Sequence, residues 1–168
     1  MRIPRVSPSR RRHAKASDPP AGDLLSPLLA PPAHAIGTDS PASAGRPADK
    51  DFETGKRAIE GQNWKAALDA FNRVAAREPR NADVQNYLGF AWRKSGNVDL
   101  AFKHYQEALR LDPKHLGAHE YIGEAYLTVD NLPKAEEHLA QLGKLCSSCE
   151  GYRELKKAVA EYRQSKRK

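Results

Sequence analysis

Cys146-Ser147-Ser148-Cys149 is the stretch of this 168-residue chain whose residue types and spacing best suit covalent chemistry. Two thiols so placed can close a disulfide, exchange with other thiols or supply half of a zinc site. A catalytic redox pair usually opens a helix that follows a strand, and no strand pattern precedes this one. A zinc site needs further ligands, and His138 is distant. The motif falls in a turn between two helical patterns. In an oxidising compartment a structural Cys146–Cys149 disulfide is the expected role, with reduced structural thiols, or a redox or metal accessory function, as the alternatives.

His115 and His119 stand four apart at the opening of a helical pattern and could face one way, but no third ligand is evident. They read as solvent-exposed residues at a helix start, with no metal. Glu120, Glu124, Glu136 and Glu137 read as solvated faces. No paired nucleophile, glycine-rich phosphate loop or triad occurs. The expectation is therefore a non-enzyme, with no catalytic residue, no cofactor and no small-molecule substrate.

The elements that hold these residues emerge when the sequence is laid against itself at an offset of 34. Gly55, Gly89 and Gly123 fall in register, as do Asn63, Asn97 and Asn131, and Ala67, Ala101 and Ala135. Trp64, Val98 and Leu132 follow suit, then Phe71, Tyr105 and Leu139, and Pro79 and Pro113 close the first two units. In the middle unit Val84, Tyr87, Leu88, Ala91 and Trp92 form one helical stripe. Gly96 then tolerates positive φ and Asn97 can cap the next helix. That helix carries Val98, Ala101, Tyr105, Ala108 and Leu109 until Asp112-Pro113 stops it. Tyr152, Leu155, Ala158, Val159 and Tyr162 mark a seventh helix.

This pattern resembles the tetratricopeptide repeat family, in which Leu-Gly is followed by an aromatic, Gly, Ala, an aromatic, Ala and Pro. Unit 82–115 matches with Leu88-Gly89, Trp92, Gly96, Ala101, Tyr105, Ala108 and Pro113. Unit 116–149 keeps Ile122-Gly123, Tyr126 and Ala135 but has Asp130 for the glycine and Leu142 for the last alanine. Unit 48–81 keeps Gly55, Trp64, Ala67, Phe71 and Pro79 but has Thr54 and Ala58 at two family positions. The resemblance implies an all-α fold: a right-handed α-solenoid of three helix-turn-helix hairpins over 49–149. Residues 150–168 then form a capping helix, covering the last hairpin's apolar flank, and a basic tail.

In this family the first helix of each hairpin lines a concave groove that holds peptides or partner helices. The resemblance places Phe52, Lys56, Asn86, Tyr87, Phe90, Arg93, Lys94, Glu120, Tyr121, Glu124 and Leu127 there. Phe90, Arg93 and Lys94 also lie off the middle helix's stripe, which leaves Phe90 as either an inter-repeat or a partner contact. The family's carboxylate clamp of lysines, asparagines and an arginine is absent, since Phe52, Lys56, Tyr87, Gly117 and Tyr121 occupy its places. A peptide with apolar anchors and both signs of charge is the expected partner.

The formal charge of +7 resides at the ends. Residues 1–16 carry Arg2, Arg5, Arg10, Arg11, Arg12 and Lys15 without an acid, whereas residues 51–165 hold seventeen basic and seventeen acidic side chains. A nucleic-acid or anionic-surface binder acting through those ends is thus a lesser alternative. Nine of the twelve prolines lie in residues 1–50, so 1–48 reads as a disordered basic arm or a degenerate export signal. Leu24 to Ala35, closing on Ala33-His34-Ala35, has the parts of such a signal but is interrupted by Pro27. With the cysteine pair, and a likeness to small bacterial envelope proteins carrying a few such repeats, this favours a periplasmic or secreted location over a cytoplasmic one. No stretch approaches the roughly 20 apolar residues of a transmembrane helix, in keeping with a mean hydropathy of -0.75.

Overall fold

The computed structural model describes residues 49–167; the arm and the signal-like stretch read in 1–48 lie outside them. The described residues form seven α-helices and no strand. These are α1 (Lys50–Glu60), α2 (Trp64–Arg77), α3 (Ala82–Lys94), α4 (Val98–Leu111), α5 (Leu116–Thr128), α6 (Leu132–Leu145) and α7 (Glu150–Ser165). Helices α1 and α2, α3 and α4, and α5 and α6 pack as hairpins. The α2–α3 and α4–α5 contacts join them into an all-α solenoid, with α7 against α5 and α6. None of these helices is long and apolar enough to cross a membrane.

Capping explains where the helices begin. Asp49, Asn63, Asn81, Asn97, His115 and Asn131 each accept a hydrogen bond from a first-turn amide of α1 to α6 in turn. Each such cap contributes about 1 kcal/mol. The turn inside each hairpin needs one residue with left-handed backbone, at Gln62 (φ 55°), Gly96 (φ 91°) and Asp130 (φ 58°). Glycine adopts it freely, whereas a side chain there costs about 1–2 kcal/mol. At Asp130 the surroundings hold the strained residue: its carboxylate accepts from the Tyr162 hydroxyl at 2.9 Å and pairs with Lys166 at 2.7 Å.

Close helix approach depends on glycine facing a large side chain. A Cβ on Gly55 would lie 2.6 Å from the Phe71 ring, and one on Gly89 would lie 2.6 Å from the Tyr105 ring. Both rings are fully buried. The third unit departs from this scheme. Its residue in register is Leu139, yet the atoms nearest Gly123 belong to Leu155 of α7, with Cδ2 only 2.5 Å from a would-be Cβ. Leu155 and Val159 are buried with Ala135 and Leu142 in a second apolar cluster. Helix α7 therefore completes the third hairpin as well as covering it.

Candidate functional site

The first helices of the hairpins, α1, α3 and α5, carry the residues expected to form the binding face. The 34-residue period puts Phe52, Asn86 and Glu120 in one row and Lys56, Phe90 and Glu124 in the next. Aromatic rings form the floor. Phe52 meets Tyr87 edge-on at 5.3 Å and Phe71 at 5.6 Å, while Phe71 and Tyr87 stack at 5.0 Å. Phe90 lies 6.3 Å from Trp64 of the preceding hairpin and 5.0 Å from Tyr121 of the following one.

Phe90 is thus an inter-repeat contact, 8% exposed, although it lies off its own helix's stripe. Asn86, Tyr87 and Tyr121 are buried with it. Phe52, Lys56, Arg93, Lys94, Glu120, Glu124 and Leu127 keep exposed area above that floor. Asn86 is fully buried, and neither of its amide atoms has a hydrogen-bond partner among the described residues.

Charge on this face is arranged around Arg93, whose side chain is 10% exposed. Its Nη2 lies 2.6 Å from Glu124 Oε2, and its Nε donates to the Tyr105 hydroxyl at 3.4 Å. The guanidinium also stands 5.5 Å from the Phe90 centroid and 5.9 Å from that of Tyr121. Burial opposes its charge, but Tyr105 and Glu124 outweigh burial and raise its pKa. Burial likewise lifts the phenols of Tyr105 and Tyr121 above their ordinary range.

Glu120 departs from the solvated face expected of it. Burial, reinforced by Glu124, Glu150 and Glu154, pushes its carboxyl up to about 8. The cover comes from α7: a Cβ on Gly151 would lie 2.6 Å from Glu120 Oε2. At neutral pH Glu120 is therefore mostly uncharged. Lys56 pairs with Glu53 at 3.6 Å. Lys94 is exposed, stands 5.4 Å over the Phe90 ring and has no carboxylate within ion-pair distance among the described residues. Partial burial and the neighbouring Arg93 lower its pKa.

The histidines are buried, where exposure at the helix start was expected. His115 is 1% exposed. Its Nδ1 accepts from the Ala118 amide at 3.1 Å and its Nε2 meets Asp83 Oδ1 at 3.0 Å. His119 Nε2 donates to the Pro113 carbonyl at 3.1 Å, which leaves its Nδ1 to accept from His138 Nδ1 at 3.0 Å. No group of three or more potential metal ligands occurs among the described residues.

Burial first, then its neighbour His119, depresses His138 to about 4, and burial also lowers His119. A histidine depressed in the folded state stabilises fully above its unfolded pKa of about 6.5. That contribution is lost as pH falls toward the folded value. In urea unfolding the wild type should therefore lose on the order of 2 kcal/mol more than His138→Gln between pH 7 and about 4. Glu120 has the opposite sign over an overlapping window, since a raised carboxyl contributes fully below its unfolded pKa of about 4.3 and loses that contribution as pH climbs to about 8.

Cys146 and Cys149 are free thiols, so the expected disulfide is not formed in this structure. The Cys149 thiol is engaged otherwise, donating to the Cys146 carbonyl at 3.0 Å. A shallow depression lined by Ser95, Gly96, Asn97, Val98 and Asp99 includes none of the expected groove residues.

Comparison with known proteins places this arrangement. Two models described as Tetratricopeptide repeat match residues 52–115 and 93–145, together more than half of the chain. Among curated proteins, the TPR repeat-containing thioredoxin TTL4 of Arabidopsis thaliana is 29% identical over 82 residues. The match takes in 49% of this chain and 12% of that protein, so the chain spans only a small part of this relative. The solved TPR2B domain of yeast Sti1, in a complex with pHsp70, superposes with a TM-score of 0.61 at 19% identity, covering 68% of this chain and 94% of that one. The type III secretion chaperone SycD of Yersinia enterocolitica, in complex with a peptide of the translocator YopD, gives 0.59 at 18% identity, covering 68% and 88%. At these identities the structural likeness shows the fold.

Proposed function

Since this chain belongs to the tetratricopeptide repeat family, we propose that it is a non-enzymatic interaction module whose α1, α3 and α5 face forms a groove for a peptide or partner protein. The observation that carries this reading is Lys94, an exposed cation standing on the buried Phe90 ring without a carboxylate partner among the described residues. A carboxylate of a bound segment would complete the charge balance there, and would be stronger for the low-dielectric ring beneath it. Phe52 on one side and Leu127 on the other offer partly exposed apolar surface for anchors. Arg93 and Glu124 are already paired with each other, so they shape the groove, and Lys94 meets the partner. The peptide-bound state of solenoids with this fold supports a binding role.

The test begins with cross-linking and mass spectrometry to locate a contacting segment, which is then made as a synthetic peptide and titrated by calorimetry. Lys94→Glu should weaken the peptide at least about tenfold while circular dichroism and the unfolding midpoint stay at wild-type values. Unchanged affinity with the fold retained would remove Lys94, and the groove built around it, from the binding surface.

A further inference from the structure

The C-x-x-C corner lies outside the expected groove residues, and it differs from the other helix starts. Helices α1 to α6 each open on a side chain that accepts an amide hydrogen; α7 opens on Cys149, which caps nothing. Capping therefore gives no reason for a cysteine there. The corner is tight, since Cys146 ends α6 with its amide on the Leu142 carbonyl at 2.7 Å. Only Ser147 and Ser148 separate it from Cys149, whose sulfur lies 3.0 Å from the Cys146 carbonyl oxygen. Both cysteines keep solvent-exposed area. Arg153 Nη1 donates to the Ser148 carbonyl at 2.8 Å, which holds a cation beside the turn.

The two thiols are inequivalent. The neighbouring Cys149 side chain, with help from the Ser148 and Cys149 amides, draws the Cys146 thiol below its ordinary value. Burial and the neighbouring Cys146 push Cys149 up. A thiol held nearer its thiolate is the better attacker, and one held protonated waits to resolve.

We propose that Cys146 and Cys149 form a reversible dithiol–disulfide site that exchanges with small organic disulfides, with Cys146 as the attacking sulfur. The Cys146 thiolate attacks one sulfur of R–S–S–R, forming a Cys146–S–S–R bond and releasing RS⁻. Cys149 gives its proton to solvent and attacks the Cys146 sulfur, closing the internal disulfide and expelling the second RS⁻. Both released thiolates take protons from water. The cysteine pair is oxidised by two electrons and the organic disulfide is reduced to two thiols. Closure moves the Cys149 sulfur off the Cys146 carbonyl, at the start of the turn of α7 that packs Gly151 on Glu120 and Tyr152 on Gly143.

The experiment incubates the full chain with mixtures of reduced and oxidised glutathione, blocks free thiols by alkylation at successive times up to equilibrium and reads the products by mass spectrometry. Wild type should lose two hydrogens and retain no glutathione. Cys149→Ser, in which serine is itself a good cap, should hold glutathione on Cys146. Cys146→Ser should take up glutathione at least about tenfold more slowly than Cys149→Ser. A lasting glutathione adduct on wild type, disulfide-linked dimers in place of the internal bond, or equal uptake by the two variants would each overturn the proposal.

Discussion

Gly89→Leu is expected to lower stability by about 3 kcal/mol or more, the upper end of overpacking costs. On helix propensity alone the change should help, because a mid-helix glycine is about 1 kcal/mol worse than alanine. Packing reverses the sign. A Cβ at this position would stand 2.6 Å from Cδ1 and Cε1 of Tyr105, whose ring is fully buried. Alanine at 89 should already be destabilising on balance. Leucine should part α3 from α4 and weaken the aromatic contacts of Phe90 above them. Urea denaturation followed by circular dichroism reads the effect directly; a Gly89→Leu protein unfolding at the wild-type midpoint would show that the hairpin does not depend on this approach.

Glu124→Ala should cost about 3–5 kcal/mol, because it strands the nearly buried Arg93 guanidinium. The pair itself contributes much less than that figure, since both charges lose water to form it. Replacing both partners, as Arg93→Met with Glu124→Leu, should therefore recover most of the loss. The exposed Arg110–Glu107 pair, at 2.6 Å, is the natural contrast: removing Glu107 should cost no more than about 0.5 kcal/mol. A thermodynamic cycle over the four Arg93 and Glu124 proteins separates the cases. Equal, small effects at both pairs would mean that water reaches Arg93 freely.

The features legible in the sequence are those that depend on near neighbours. The glycine rows, the asparagine caps and the proline stops act within one helix or one turn, so the 34-residue offset shows them without a structure. Burial on the binding face is different in kind. Phe90 shares its row with Lys56 and Glu124, which makes the row look solvated. It is covered because Trp64 and Tyr121 arrive from the adjoining hairpins, and the angle between hairpins is not written in any one helical stripe. His115 finds Asp83, and His119 finds His138, by the same route. Glu120 is covered by a helix beginning thirty residues later. The cysteine pair was visible as a motif. Its place beside an uncapped helix start was not, because the corner's geometry depends on how α7 leans on α5 and α6.

The substitution of Leu155 for an aromatic at the third glycine bears on how the chain is made. The first two hairpins each contain the ring that fills the space beside their own glycine, so each can close as soon as its second helix has left the ribosome. The third emerges with the space beside Gly123 unfilled and waits for a residue 32 positions further on. Closure of the third hairpin therefore follows that of the first two and depends on α7, which leaves the ribosome after α6.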